Sequence, residues 1–254
     1  MRLFKIRLLF IIIAVVYIFT VTSAYAIETT DQSRQFGEDN FRGKQIGVEL
    51  LKMRIYNFEG REMFKLRDLA EKCGWSIQYD SISKEITLIN NGKSMVLDLD
   101  QRLSKDVKLI EGRSYLSIEK ARDVFEEVGE NTKLITGLYT DQEEYMTGNP
   151  VTAHIRVYNM SKESIKLDFS SGQRYDLYLE RDNKEIWRWS DGKFFTMALA
   201  RVEIEAGDSM EFDVEIDTDK DADLTPGKYI LSGELAIIGS AIELNDITIT
   251  VSKE

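Results

Sequence analysis

The feature that most limits how this chain can fold is a change of hydrophobic period near Asn131. Beyond Lys133, apolar residues alternate with polar ones: Val151, Ala153, Ile155 and Val157, then Ile165, Leu167 and Phe169, then Tyr175, Leu177 and Leu179. A period of two is the mark of strands with one buried face. The runs at 135–140, 186–189, 201–205, 210–216, 228–235 and 247–251 read the same way. Turn chemistry separates them, at Asn159-Met160-Ser161, Ser171-Gly172, Asp182-Asn183, Asp191-Gly192, Ala206-Gly207-Asp208 and Pro226-Gly227. That spacing predicts an all-β antiparallel sandwich of the immunoglobulin type over residues 131–254.

Residues 45–130 instead mix strands with helices, and they repeat. Glu59-Gly60-Arg61 leads into Met63, Phe64 and Leu66, and Glu111-Gly112-Arg113 leads into Tyr115, Leu116 and Ile118. Leu66, Leu69, Ala70 and Cys73 form one helical stripe with Gly74 as its left-handed cap; Ile118, Ala121, Val124, Phe125 and Val128 form another with Gly129 as its cap. Trp75, Ile77 and Tyr79 alternate as a strand, and Asn90-Asn91-Gly92 predicts a hairpin between Ile86-Leu88 and Met95-Leu99. The chain is therefore expected to hold two domains: an α+β repeat domain, β-rich with two short helices, and the sandwich.

The N-terminus predicts export. Arg2, Lys5 and Arg7 precede an apolar run from Leu8 to Val21, and Ala24-Tyr25-Ala26 suits signal peptidase, so residues 1–26 read as a signal peptide cleaved after Ala26. The run is short against the roughly 20 residues of a spanning helix. Residues 27–44 are polar, without period, and read as a flexible leader. The mature chain is expected to be secreted or associated with the cell envelope, not held in the membrane. Losing three cations takes its formal charge from −11 to −14, which disfavours nucleic acid as a partner. Cys73 is the one cysteine, so no internal disulfide is available.

Two family resemblances follow from particular residues. FKLRDLAEKCGWSIQYD at Phe64–Asp80, the strands 85–89 and 94–99, and GRSYLSIEKARDVFEEVG at Gly112–Gly129 resemble the copper amine oxidase-like N-terminal domain, a module of exported proteins in Gram-positive bacteria. The family's prolines are absent at Lys65 and Ser117, and Glu119 stands where its second arginine would be. Its name implies no chemistry here, because copper needs several imidazole or soft sulfur ligands brought together, and the chain offers His154 and Cys73 in different expected domains.

The second resemblance rests on Phe169, Ser171, Gly172, Gln173, Tyr175, Asp176, Trp187, Arg188, Trp189, Ser190, Phe195, Ala198 and Leu199. These resemble the pattern of the BsuPI family of intracellular proteinase inhibitors. The resemblance implies an immunoglobulin-like fold and inhibition of subtilisin-type serine proteases. The motif residues are read mainly as structural: Ser171-Gly172-Gln173 as a turn, Tyr175 with its ring buried and its hydroxyl tied to backbone, Trp187 and Trp189 on one face. Arg174 and Arg188 are the speculative interaction residues, since arginine and tryptophan are frequent at binding hot spots.

Catalysis lacks its parts. His154 is the sole histidine, alternation puts it on the solvent side, and no Gly-x-Ser-x-Gly elbow is present. Cys73, on a buried stripe, reads as packing. Asp217, Asp219, Asp221 and Asp223 have an oxygen-rich spacing that weakly suggests calcium, but Ala222 and Lys228 occupy the glycine and glutamate positions of an EF-hand loop. No cofactor is expected.

The function expected is that of an exported, non-enzymatic proteinase inhibitor acting on an extracellular or envelope subtilisin-like serine protease. Asp141–Pro150 or Asp217–Pro226 would be offered to the protease. The alternative is an envelope module binding wall polymer or a surface protein, with Tyr56, Phe58 or Tyr115 lining a groove.

Overall fold

The computed structural model describes residues 49–99, 105–129, 133–220, 222–239 and 241–253. The expected signal peptide and leader lie outside them. The described residues fall within one compact unit, Gln45–Glu254, and the division expected near residue 131 lies inside that unit. The protein is β-rich, with two short helices and several sheets.

The sequence repeat becomes a symmetric sheet. β2 (Ile55–Phe58) and β3 (Arg61–Lys65) form a hairpin that runs into α1 (Leu66–Cys73). β7 (Val107–Ile110) and β8 (Arg113–Ser117) form another that runs into α2 (Ile118–Val128). β3 pairs antiparallel with β8, so the order β2-β3-β8-β7 reads alike from either edge. Both hairpins turn on a Glu-Gly pair at positive φ, 58° and 81° at Glu59-Gly60 and 49° and 74° at Glu111-Gly112. Turns of that hand match the strand twist and favour glycine at the second position.

The helices differ in their ends. Ser117 caps α2, its Oγ accepting the Lys120 N–H at 3.1 Å, whereas Lys65 gives α1 no side-chain cap. Gly74 ends α1 at φ 70°, as expected, but Gly129 is extended at φ −71°. The expected left-handed cap on α2 is therefore corrected: the chain leaves this helix by extending, not by reversing. Both apolar stripes face inward, and Phe125 of α2 meets Trp75 edge-on at 5.0 Å. A second sheet, β4 (Ser76–Asp80), β5 (Glu85–Asn90) and β6 (Lys93–Asp98), covers the helices with Leu88 and Leu97, its Asn91-Gly92 turn again at positive φ.

The rest of the chain forms a sandwich. One sheet has the order β1-β9-β11-β16, formed by Glu49–Lys52, Lys133–Thr140, Val151–Asn159 and Ser209–Ile216. The facing sheet runs β10-β19-β17-β13-β14, formed by Glu144–Met146, Ile247–Ser252, Gly227–Leu235, Tyr175–Arg181 and Lys184–Arg188. β18 (Ile242–Glu243) adds to β17, and β12 (Ile165–Phe169) pairs with β15 (Ala200–Ile204). Tyr175 of β13 and Phe212 of β16 meet at 5.0 Å across the layers.

Two strands carry no sequence signal. β1, before the repeat, lies parallel to β9, with Glu49 opposite Lys133. β10, inside the expected loop 141–150, lies parallel to β19. Parallel edge strands add without a hairpin, so no local turn announces them.

Candidate functional site

Among the described residues several places depart from the usual division of polar and apolar groups, the exposed Ile82 and Tyr79 among them, and two carry an organised set of contacts. The first lies on the outer face of β11. Alternation points His154, Arg156 and Tyr158 away from the sandwich core, yet Glu62 of β3 meets Arg156 and Tyr158, and β9, Asp141 and β16 supply partners for His154. The Arg156 side chain is 7% exposed, and its Nε donates to Glu62 at 2.8 Å while Nη1 donates to Asp213 at 2.8 Å. Tyr139 donates to the same Glu62 oxygen at 2.6 Å, and Tyr158 donates to the other. Burial alone would raise the Glu62 pKa, but hydrogen bonds from Tyr139, Tyr158 and Arg156 outweigh it and hold the carboxyl below its ordinary range. Burial, with Glu62 adding to it, pushes both phenols well up.

The expectation of a solvated His154 is corrected. Its side chain is 13% exposed and stacks on Tyr139 at 4.5 Å, with Nδ1 2.7 Å from Asp213 and Nε2 2.8 Å from Asp141. Alternation gives the correct face of the strand; the cover over the His154 ring comes from Tyr139 of β9, from Asp141 and from Asp213 of β16. Both ring nitrogens are engaged, which leaves no free lone pair for a substrate.

The second place is the loop from Ser190 to Leu199, which joins β14 to β15. After a turn at Asp191-Gly192 it follows no regular pattern through Lys193-Phe194-Phe195-Thr196-Met197-Ala198-Leu199. Phe194 is fully exposed, Met197 92% exposed and Leu199 78%. Ile186 on β14, the outer strand of its sheet, is exposed as well.

The loop's ends are held firmly. The buried Asp176 carboxylate accepts the Ser190 N–H at 3.0 Å and its hydroxyl at 2.6 Å, and also the Leu177 N–H at 3.0 Å. Trp189 stacks on Tyr175 at 4.4 Å, Phe195 packs on Trp189 at 5.8 Å, and the Lys193 ammonium sits 3.7 Å from the centre of the Trp189 ring. Midway along, the Gly172 N–H donates to the Thr196 carbonyl at 2.8 Å. A Cβ on Gly172 would stand 2.7 Å from Thr196 Oγ1 and 3.3 Å from its backbone nitrogen, so this approach needs glycine.

The motif residues thus have a joint role that alternation does not reveal. Ser171-Gly172-Gln173 is a turn, and its glycine grips the loop. Tyr175 is only partly buried, and its hydroxyl, expected to be tied to backbone, makes no hydrogen bond among the described residues; contacts with Trp189 and Phe212 hold the ring. Trp187 packs partly buried against the core, and Phe169 is fully buried. Neither arginine of the expected interaction pair is free. Arg188 is paired in two places with Glu185 and lies over Tyr178, and Arg174 donates to the Ser171 carbonyl and lies over Phe169.

The two loops expected to meet a protease are tied to each other. Thr218 Oγ1 accepts the Gly148 N–H and donates to the Asn149 carbonyl, both at 3.1 Å. The Asp217 carboxyl is held down to about 2 by the Lys220 ammonium and by the Lys220 and Asp219 N–H groups. It caps its own turn. Asp221 lies outside the described residues, and among these no cluster of three or more His, Cys, Asp or Glu side chains is arranged to hold a metal. Burial pushes the Cys73 thiol up to about 12, which suits a packing group. Tyr56, Phe58 and Tyr115, expected to line a groove, pack on one another, with Tyr115 buried.

No curated protein matches the chain. Similar solved structures include the sporulation control protein Spo0M of Bacillus subtilis, 18% identical over 48% of this chain and 50% of that one, TM-score 0.31. Others are a cycloisomaltooligosaccharide glucanotransferase of Paenibacillus sp., 17% identical over 46% and 13%, TM-score 0.30, and the CARDB domain of the PF1109 protein of Pyrococcus furiosus, 10% identical over 48% and 96%, TM-score 0.29. The chain spans half of the first and far less of the second, and likenesses this slight carry no argument about function.

Residues 138–238 match the model of the BsuPI family, described as intracellular proteinase inhibitor. That description overturns the expectation of a secreted or envelope-associated protein. The match leaves out residues 45–130, so it lends nothing to their resemblance to the copper amine oxidase-like domain. The loop and every side chain that holds it lie in the part of the chain that is similar to proteinase inhibitors.

Proposed function

We propose that the protein is a non-enzymatic inhibitor that offers the loop Ser190–Leu199 to the substrate cleft of a subtilisin-like serine protease. The observation that carries this reading is the pairing of exposed apolar side chains with a fixed backbone. A large apolar side chain left in water forgoes about 1.5–3 kcal/mol that burial would return. A loop already held in shape loses little conformational freedom on binding. Residues 131–254, taken as an immunoglobulin-like domain, supply the platform, and residues 45–130 brace it through β1 and Glu62. A non-enzymatic role is in keeping with the matched family of proteinase inhibitors.

The test is a titration of subtilisin-type proteases with the full chain, following residual activity. Loss of activity up to one equivalent, with the chain left intact, supports the reading. If no protease slows and the chain is instead cut within Lys193–Leu199, the loop is a substrate and the proposal fails.

A further inference from the structure

Resting on that reading, we infer that Phe194 is the residue that enters the protease's primary specificity pocket, and that the target is an endopeptidase whose pocket takes large apolar side chains. Three observations lead there.

The Phe194 ring is fully exposed, while both neighbours are held. Lys193 donates its N–H to the Ser190 carbonyl at 3.0 Å and rests its ammonium on Trp189. Phe195 turns its ring the other way, onto the same indole. A single free side chain between two anchored ones is the arrangement that lets a pocket close around that side chain without reshaping the backbone.

Met197 and Leu199 are also exposed, but less well placed. Thr196, before Met197, is fixed through its carbonyl, whereas Ala198 after it is exposed and no backbone hydrogen bond holds it among the described residues. These two side chains would extend the apolar contact on one flank instead of filling the central pocket.

The loop also selects against pockets built for cations. Lys193 is the only cation between Gly192 and Ala200. Its ammonium is occupied at 3.7 Å over Trp189, and releasing it would give up a cation–π contact and free a ring that anchors Phe195. A protease with an acidic primary pocket would therefore find no free partner.

The experiment measures inhibition constants of the full chain against subtilisin, chymotrypsin and trypsin, for the unaltered protein and for Phe194→Ala, Phe194→Lys and Met197→Ala. The unaltered protein is expected to inhibit subtilisin or chymotrypsin and to leave trypsin active. Phe194→Ala should weaken that inhibition about 10- to 100-fold, the loss of one buried aromatic side chain. Phe194→Lys should transfer inhibition to trypsin, and Met197→Ala should change it by less than about threefold. Phe194 is fully exposed among the described residues, so unchanged melting temperatures should accompany these shifts. If the unaltered protein inhibits but Phe194→Ala does so equally well, the assignment to Phe194 is wrong and the inhibitor reading stands. If the unaltered protein inhibits none of the three, both fall together.

Discussion

The junction around Glu62 and the loop around Phe194 break the same rule in opposite directions. At the junction, charge is buried: Arg156, Glu62, Tyr139, Tyr158 and His154 satisfy one another, with the largely exposed Asp213 at the rim accepting from Arg156, and burial is tolerable because these groups have partners. At the loop, apolar surface is exposed and none of the described residues covers it. The first inversion is complete within the molecule. On the proposed reading, the second is completed by a bound protease, and that would make the first departure structural and the second functional.

The contrast can be broken most forcefully at Arg156. An Arg156→Leu substitution removes one partner and leaves the Glu62 carboxylate buried, so a loss of about 3–5 kcal/mol in unfolding free energy is expected in denaturant melts. Inhibition measured well below the melting temperature should survive, because the loop's anchors do not touch Arg156. An Arg156→Leu variant as stable as the parent would show that the junction is not a closed network.

Gly172→Leu should act the other way. It drives Thr196 off its hydrogen bond, costing about 1 kcal/mol of stability but weakening protease binding at least about tenfold. An unchanged inhibition constant would mean that the loop needs no fixed shape.

Acid sharpens the comparison more gently. The Glu62 pKa is lowered in the folded protein, so its contribution is present above the unfolded glutamate value of about 4.3 and fades as pH falls through the folded one. A Glu62→Gln variant should therefore show a flatter fall in melting temperature below about pH 4.3 than the parent. Equal acid limbs would exclude Glu62 as the group responsible. The smallest effect expected is that of Met197→Ser, within about 0.5 kcal/mol of parental stability in the same melts.

What can be read from sequence is local. The helical stripes of α1 and α2, the Asn91-Gly92 hairpin and the strands from Val151 to Leu179 declare themselves within a few residues of chain. The junction does not, because Glu62 and Arg156 are 94 positions apart and nothing near either names the other. His154 escapes local reading for the same reason. The loop escapes it differently. Phe194, Met197 and Leu199 are apolar, and apolar residues in a recognised motif read as core. One signal is present: Lys193–Leu199 has no period of two and lies between a turn and the strand at Ala200, where a sandwich offers no face to bury it.

The parallel pairing of β1 with β9 also sets an order of events. Glu49–Lys52 leaves the ribosome long before its partner Lys133–Thr140. Contacts between such distant segments form slowly, because the intervening chain must be closed into a loop first. Until then β1 is an open edge carrying Leu50 and Leu51, a template for pairing with other nascent chains. Within its own sheet β1 is the strand made earliest before its partner, so slower docking would leave that edge open to other chains for longer.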